Sequence, residues 1–423
     1  MYMLLGWALL ATPWAREDGQ TVAAIDHLFI AASAVSTTGL VSISPADSYS
    51  FFGEIVILLL IQAGGIGYMT LGSVFVLSIS HHWHRRQDNL VRTTFTLPKE
   101  FDTRRFVLNV VVFTLVIEGL GAVALWAMFR HLEVPNALWQ ALFHAVSAFC
   151  TAGFSLFNTS LEAFSDHIGV NIAIMSLSLL GAVGFIVMSD WWLALTRRGG
   201  QVGITSRIIL RATFWGIAIG SVVLLATDSA LAQLPPTERL LAAVFQTVTA
   251  LTTVGFNTYP ISGLTASSLL ILIIAMVMGA SPSGTGGGLK STTVASIFFT
   301  TRAQLRGEDE VRVFGRTLTT PQLRLAYAGL GFYLGLLLLG SFLLLLVDSQ
   351  DFLSLVFEAA SALGTVGLSL GATSDLSTLS KSVLVFLMWA GRIGPITLGM
   401  ALFAMRNSSD PRESDGGPAD IAL

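Results

Sequence analysis

Phe357–Leu368 reads FEAASALGTVGL, and the same phrase stands at Phe29–Leu40 (FIAASAVSTTGL), Phe143–Phe154 (FHAVSAFCTAGF) and Phe245–Phe256 (FQTVTALTTVGF). Each copy runs Phe, three residues, Ser or Thr, Ala, two residues, Thr, one residue, Gly, then Leu or Phe. The glycines fall at 39, 153, 255 and 367, spaced 114, 102 and 112 residues. A lone Thr-x-Gly carries no information. Four in one framework imply four similar units in one chain, arranged around a common axis.

Outward from the phrases the chain is apolar. It is 53% hydrophobic and only 12% charged, where soluble domains carry roughly 25% charge. The runs Phe51–Ser80, Phe106–Phe129, Asn171–Leu195, Leu325–Val347 and Ser382–Met405 reach the ~20 residues that cross a bilayer. The expected fold is therefore an all-α polytopic membrane protein. A net charge of −3 gives no reason to expect nucleic acid. Cys150 is the only cysteine, which excludes an internal disulfide. His81, His82 and His84 read as a wet loop rather than a metal tract. No nucleophile, base or metal constellation argues for an enzyme, and no organic cofactor is implied.

Most of the 23 Lys and Arg lie between the repeats. Arg85, Arg86, Arg92, Lys99, Arg104 and Arg105 separate the first pair. Arg197, Arg198, Arg207 and Arg211 separate the second pair, and Arg302, Arg306, Arg312, Arg316 and Arg324 the third. Arg406 and Arg412 close the chain. The positive-inside rule places these linkers and the C-terminus in the cytoplasm and the phrases toward the outside of the cell membrane. Each unit then crosses an even number of times, so its phrase enters and leaves on the outer side. Its first half is a short helix, with Asn136, Thr237 and Ser349 as candidate caps and Asp26 close to the first copy. Its Thr- and Gly-rich end is extended backbone, tolerated at membrane depth only where protein buries it or water reaches it. The expected units are 1–84, 85–200, 201–308 and 309–406, each an outer span, a pore helix, a filter and an inner span. The polar tail 407–423 is expected to be disordered. The first apolar stretch, Met1–Thr12, is too short to span alone.

Two copies contain Thr-Val-Gly, the start of the K⁺-filter sequence TVGYG, whose carbonyls replace an ion's water shell. The expected ion ligands are the carbonyls of Thr37, Thr38 and Gly39, of Thr151, Ala152 and Gly153, of Thr253, Val254 and Gly255, and of Thr365, Val366 and Gly367. Glycine is where φ > 0 costs little, which lets successive carbonyls turn toward one axis. Leu40, Phe154, Phe256 and Leu368 stand where the Tyr would be. Four unequal filters imply fewer ordered sites and looser selectivity.

The span after the third phrase is interrupted by Ser281–Thr293 (SPSGTGGGLKSTT), which cannot be a regular helix. Gly284–Thr292 loosely echoes a Walker phosphate loop, but the spacing fails. A flexible gate beneath the filter, built from Ser281, Gly284, Gly286, Gly287, Gly288 and Lys290, is the expected role. Arg392 sits mid-span in the fourth unit, where a charge costs about 2.5–3.5 kcal/mol on insertion scales. A structural ion pair with Glu118 and a gating role are both open. Glycines recur after each phrase (Gly64, Gly181, Gly279 and Gly391) and read equally as helix packing or as bends.

The four phrases, SPSGTGGGLKSTT and AGRIGPITL together resemble the membrane subunit of the Ktr/Trk/HKT potassium transporters over nearly the whole chain. No extra hairpin precedes the first unit, which is more similar to the Ktr branch than to the longer Trk type. The resemblance implies four such units around a pseudo-fourfold pore, with K⁺ as the transported ion. It also implies a homodimer in membrane lipid, and a cytoplasmic RCK/KTN-type nucleotide-binding ring that controls the pore. Na⁺ dependence stays open. A secondary transporter with an occluded site is the alternative, although such repeats usually come in pairs.

Overall fold

The computed structural model describes residues 1–67, 103–196, 202–282 and 284–394. The basic residues Arg85, Arg86, Arg92, Lys99, Arg197, Arg198, Arg406 and Arg412, the His81–His84 tract and the tail 407–423 lie outside them.

Helices dominate. The first stretch holds α1 (Tyr2–Leu10), a 3₁₀ turn at Pro13–Ala15, α2 (Ala24–Ser36) and α3 (Phe51–Ile66). After it come α4 (Thr103–His131), α5 (Ala137–Phe149), α6 (Ile168–Val183) and α7 (Phe185–Thr196). Next are α8 (Ile204–Thr227), α9 (Pro236–Thr252), α10 (Ala266–Met278) and α11 (Ser291–Leu305). A two-residue-strand hairpin, β1 (Arg312–Val313) with β2 (Arg316–Thr317), leads into α12 (Thr320–Val347), α13 (Phe352–Gly364) and α14 (Thr378–Ile393). Within the described residues three helices are long and apolar enough to cross a membrane: Leu108–His131 of α4, α8 and α12.

The phrase helices α2, α5, α9 and α13 are 13, 13, 17 and 13 residues long. At 1.5 Å per residue, 13 residues cover about 20 Å, well short of the ~30 Å hydrocarbon core. Their starts correct the expected caps. Asp351, not Ser349, caps α13, its carboxylate accepting from the N–H groups of Leu353 (3.0 Å) and Ser354 (3.4 Å). Thr237 lies inside α9, because Pro236 with its fixed φ opens that helix. Asn136 holds the N-cap position of α5 in left-handed backbone and its side chain makes no capping bond. Asp26 sits in the first turn of α2 and binds Lys381 instead.

In the second, third and fourth copies the leading Phe is seated in the core of the helices that precede it. The leading Phe143 shares a core with Leu10, Val56 and Ile61, Phe245 with Leu125 and Ile174, and Phe357 with Leu224 and Leu272. Phe29 shares one with Tyr333, Leu344 and Leu384 from the last helices of the chain. All four Phe are buried. The first phrase thus packs where the chain ends. One buried ion pair marks that seam: Lys381 Nζ on α14 lies 2.8 Å from Asp26 Oδ1 on α2.

The glycines of the following helices serve both readings at once. A Cβ on Gly64, Gly181 or Gly391 would overlap the carbonyl oxygen of Val35, Phe149 or Leu363, at the ends of α2, α5 and α13. Three residues on, Gly67, Gly184 and Gly394 end their helices with φ of 86°, 87° and 92°.

Removing one member of a buried ion pair leaves the other uncompensated, at a cost of about 3–5 kcal/mol. Lys381→Met is expected to lower detergent-solubilised stability by that order, and Asp26→Asn/Lys381→Met to recover much of it. Thermal melting of the purified protein measures both. A single variant that melts like the wild type shows that the seam does not depend on the pair.

Candidate functional site

The backbone after each phrase helix is the same in all four copies. Thr37, Thr151, Thr253 and Thr365 adopt left-handed backbone, with φ of 52°, 51°, 60° and 50°. A β-branched residue there is an outlier, and costs on the order of 1–3 kcal/mol. Two residues on, Gly39, Gly153, Gly255 and Gly367 also take positive φ, at 91°, 65°, 82° and 99°. The residue between them turns its N–H back to its own helix. Thr38, Ala152, Val254 and Val366 donate to the carbonyls of Ser33 (2.8 Å), Ser147 (2.8 Å), Thr249 (3.0 Å) and Ser361 (2.9 Å). In the first and fourth copies the Gly N–H also donates to the Ser33 or Ser361 hydroxyl at 3.0 Å. These bonds account for the serine in those two copies; in the second, Ser147 Oγ donates to the Phe154 carbonyl at 2.8 Å.

With these N–H groups engaged, the segments meet one another through carbonyls. A Cβ on Gly39 would overlap the carbonyl oxygen of Ala152, and one on Gly153 that of Val254. A Cβ on Gly255 would overlap the oxygen of Val366, and one on Gly367 that of Thr38. The contacts run from the first copy to the second, third and fourth, and back to the first.

The chain between α10 and α11 lies directly beneath this ring. It spans Gly279–Lys290, so Ser291–Thr293 of the expected loop belong to α11, and Ser283 lies outside the described residues. Ser281 N–H donates to the Ala182 carbonyl (3.1 Å), Ser281 Oγ to that of Val183 (2.6 Å) and Thr285 N–H to that of Gly181 (3.1 Å). The Thr285 hydroxyl is 3.1 Å from Thr151 Oγ1, and its carbonyl 3.5 Å from Thr37 Oγ1. A methyl on Gly286 would overlap the Thr253 hydroxyl, and one on Gly287 that of Thr365. The loop therefore touches all four threonines. Gly284 packs on the Ala182 carbonyl, Gly288 on Gly279, and Lys290 Nζ donates to the Gly286 carbonyl at 2.8 Å. The hydroxyls of Thr253 and Thr365 are buried and have no hydrogen-bond partner among the described residues.

Arg392 is held by backbone. Its Nη1 donates to the carbonyl of Thr285 in the loop and its Nη2 to that of Gly64 on α3. This corrects the expected pairing with Glu118, which accepts from Gln62 Nε2 at 3.0 Å and from Cys150 Sγ at 3.4 Å. Glu118 lies on α4, behind the second phrase, and Arg392 reaches the loop instead.

One set of residues escapes a reading of the sequence. The position after the leading Phe holds His144, Gln246 and Glu358, against Ile30 in the first copy. Each polar side chain ties its helix to the chain that leaves the glycine. His144 Nε2 lies 2.8 Å from Ser155 Oγ, and Gln246 Nε2 donates to the Tyr259 carbonyl at 3.3 Å. Glu358, fully buried, accepts from Ser369 Oγ (2.6 Å), Thr373 Oγ1 (2.6 Å) and Leu370 N–H (3.0 Å). The available signal was a polar residue recurring at one register of an apolar helix.

The family model for TrkH, a cation transport protein, matches residues 8–410. The chain belongs to this family. It is 34% identical over 403 residues to the Ktr system potassium uptake protein B of Vibrio alginolyticus, covering 93% of this chain and 87% of that one. It is 32% identical to the protein of the same description from Bacillus subtilis (strain 168), covering 98% of this chain and 93% of that one. Identity to the potassium/sodium uptake protein NtpJ of Enterococcus hirae is 29%, covering 96% and 92%. In fold the chain is similar to the crystal structure of the potassium transporter TrkH from Vibrio parahaemolyticus. That match has a TM-score of 0.72 at 21% identity and covers 95% of this chain and 83% of that one.

Glu358→Leu strands one buried N–H and two hydroxyls. The expected loss is about 3 kcal/mol, with faster hydrogen exchange at the Leu370 amide. Glu358→Gln, which keeps an acceptor oxygen, is expected to retain most of the stability. Equal melting temperatures for the leucine variant and the wild type overturn the strut role.

Proposed function

We propose that the chain takes up K⁺ through a gated pore on an axis shared by the four phrases. Four units (1–84, 85–200, 201–308 and 309–406) surround that axis in pseudo-fourfold fashion. The observation that carries this reading is the closed cycle of glycine-to-carbonyl contacts. Four segments that turn their N–H groups inward to their own helices leave carbonyls for an ion. The ligands are the carbonyls of Thr37, Thr38, Gly39 and their counterparts in the other three copies. The orphaned hydroxyls of Thr253 and Thr365 extend the same path downward. Short phrase helices end at this point, and their negative dipole ends favour a cation. The three relatives, potassium uptake proteins in two cases and a potassium/sodium uptake protein in the third, agree in substrate class.

The loop 279–290 is the gate. It closes the path below the four threonines, and Arg392 locks it to the first unit. A fixed positive charge there repels a cation strongly where the dielectric is low. Opening requires the loop to leave the threonines and the guanidinium to release Thr285. A cytoplasmic nucleotide-binding ring is the partner that drives this motion. The working assembly is a homodimer in the cell membrane, with the basic linkers on the cytoplasmic side. A coupled carrier with an occluded site remains a different class, and a continuous ring of four segments favours the pore.

Liposomes containing the purified chain are expected to take up Rb⁺ down its gradient, faster with the regulatory ring present. Arg392→Ala is expected to raise uptake per folded molecule about tenfold, since one repelling charge leaves the path, and to weaken nucleotide control. Wild-type uptake with intact control in this variant confines Arg392 to packing. Gly367→Ser, strained at positive φ, is expected to lower the preference for K⁺ over Na⁺ more than it lowers expression.

A further inference from the structure

The cluster Gln62–Glu118–Cys150 lies behind the second phrase, and neither the ion path nor the gate uses it. Three helices supply it: Gln62 from α3, Glu118 from α4 and Cys150 from the end of α5. Glu118 and Cys150 are buried, at 4% and 0% exposure. An acid within a membrane-crossing helix is costly and is kept where it has work to do. Here the carboxylate takes the Gln62 amide at 3.0 Å and the Cys150 thiol at 3.4 Å, the thiol lying 3.8 Å from Gln62 Oε1. The thiol reaches it through a slot at Gly65, where a Cβ would stand 2.7 Å from the Cys150 Cβ. Arg392 grips the adjacent Gly64 carbonyl from the gate side.

The four copies differ in what steadies the residues on either side of the left-handed threonine. In the first, Ser36 Oγ and Thr38 Oγ1 bond to each other at 2.6 Å. In the third and fourth, the buried Val254 and Val366 wedge into the neighbouring core. The third also has Thr252 Oγ1 donating to its own helix at the Val248 carbonyl, 2.7 Å away. The second copy has the smaller Ala152 there, which shares a core with Ile57 and Ile61 but fills less of it than a valine does. Its preceding residue, Cys150, is the one of the four that reaches other helices. The Thr151 hydroxyl lies 2.7 Å from the Cys150 carbonyl, so what holds Cys150 also holds Thr151.

We propose that Glu118 is a positioning residue that fixes the second filter segment through Cys150 and so sets how strictly the pore prefers K⁺ over Na⁺. This rests on the pore reading. The carboxylate adds a polar anchor beside the small core contact that Ala152 makes. Losing the contact frees Cys150 and, through the Thr151 hydroxyl it holds, widens the range of positions the Thr151 carbonyl adopts. A smaller ion then finds ligands it is otherwise denied.

The test is tracer uptake of Rb⁺ and Na⁺ by liposomes containing the full chain. Cys150→Ser and Glu118→Gln keep a donor and an acceptor, and are expected to keep the wild-type ratio. Cys150→Ala and Glu118→Leu are each expected to raise Na⁺ relative to Rb⁺ uptake roughly fivefold, the scale of one hydrogen bond. The double variant is expected to show no more than either single, because the two residues act in series. A purely structural role lowers yield and melting temperature without moving the ratio. If Glu118→Leu does not fold, Cys150→Ala decides, since Gly364 shows that the position accepts an even smaller residue. An unchanged ratio in Cys150→Ala, or additive effects in the double variant, overturns the inference alone. Wild-type vesicles that take up neither ion overturn the pore reading and this inference with it.

Discussion

Backbone N–H groups left open at membrane depth find no water, and each costs several kcal/mol unless protein satisfies it. That constraint shapes the four phrases. Their extended ends have no strand partner and no helix to continue. The solution is local: one residue in the left-handed region folds the next N–H back onto the helix just completed. The price is a β-branched residue at positive φ, repeated four times. What this arrangement leaves over is carbonyls, the groups on which the proposed ion path rests. The strain at Thr37, Thr151, Thr253 and Thr365 and the carbonyl surplus are two sides of one local fold.

Packing distributes the phrases in a way the chain order conceals. The leading Phe of the second, third and fourth phrase helices is buried among the preceding helices, and that of the first among the last described ones. A single phrase with its flanking helices therefore lacks part of its core, and closing the cycle of phrases is a folding requirement. In lipid the driving force for such association is van der Waals contact between close-fitting helices, which accounts for the glycines at 64, 181 and 391. Electrostatics enters at the one seam without chain continuity, where Asp26 meets Lys381.

The repeated phrases, the break between α10 and α11 and the singular Arg392 were all legible from residue types and spacing, although Arg392 stands in the last turn of α14 rather than mid-helix. What sequence could not supply was direction. Asp26, Thr237 and Ser349 all looked like caps, yet the chain caps α13 with Asp351 and turns Asp26 toward Lys381, 355 positions away. Glu118 and Arg392 were the obvious charges to pair, because composition counts them and does not orient them. The threonine strain was hidden because Thr rarely adopts positive φ, and the neighbouring glycine absorbed the expectation. Glu358 was hidden by its neighbours in the same phrase, which made the whole helix read as apolar.

Arg392 illustrates how one cost offsets another. The last carbonyls of a helix have no intrahelical donor. α3 stops at Ile66, so Gly64 is among them, and Thr285 lies in a loop whose carbonyls have no ladder to join. Both are acceptors that burial penalises. A guanidinium at the same depth is a set of donors that burial penalises. Brought together, the broken helix, the loop and the arginine relieve each other without a carboxylate. α6 repeats the logic without charge: its freed carbonyls at Gly181, Ala182 and Val183 take up Ser281 and Thr285. The loop is therefore held from two sides by ends of helices that stop early. Moving the loop would expose the arginine and two sets of carbonyls together, so this small segment between α10 and α11 is coupled to both helix ends at once.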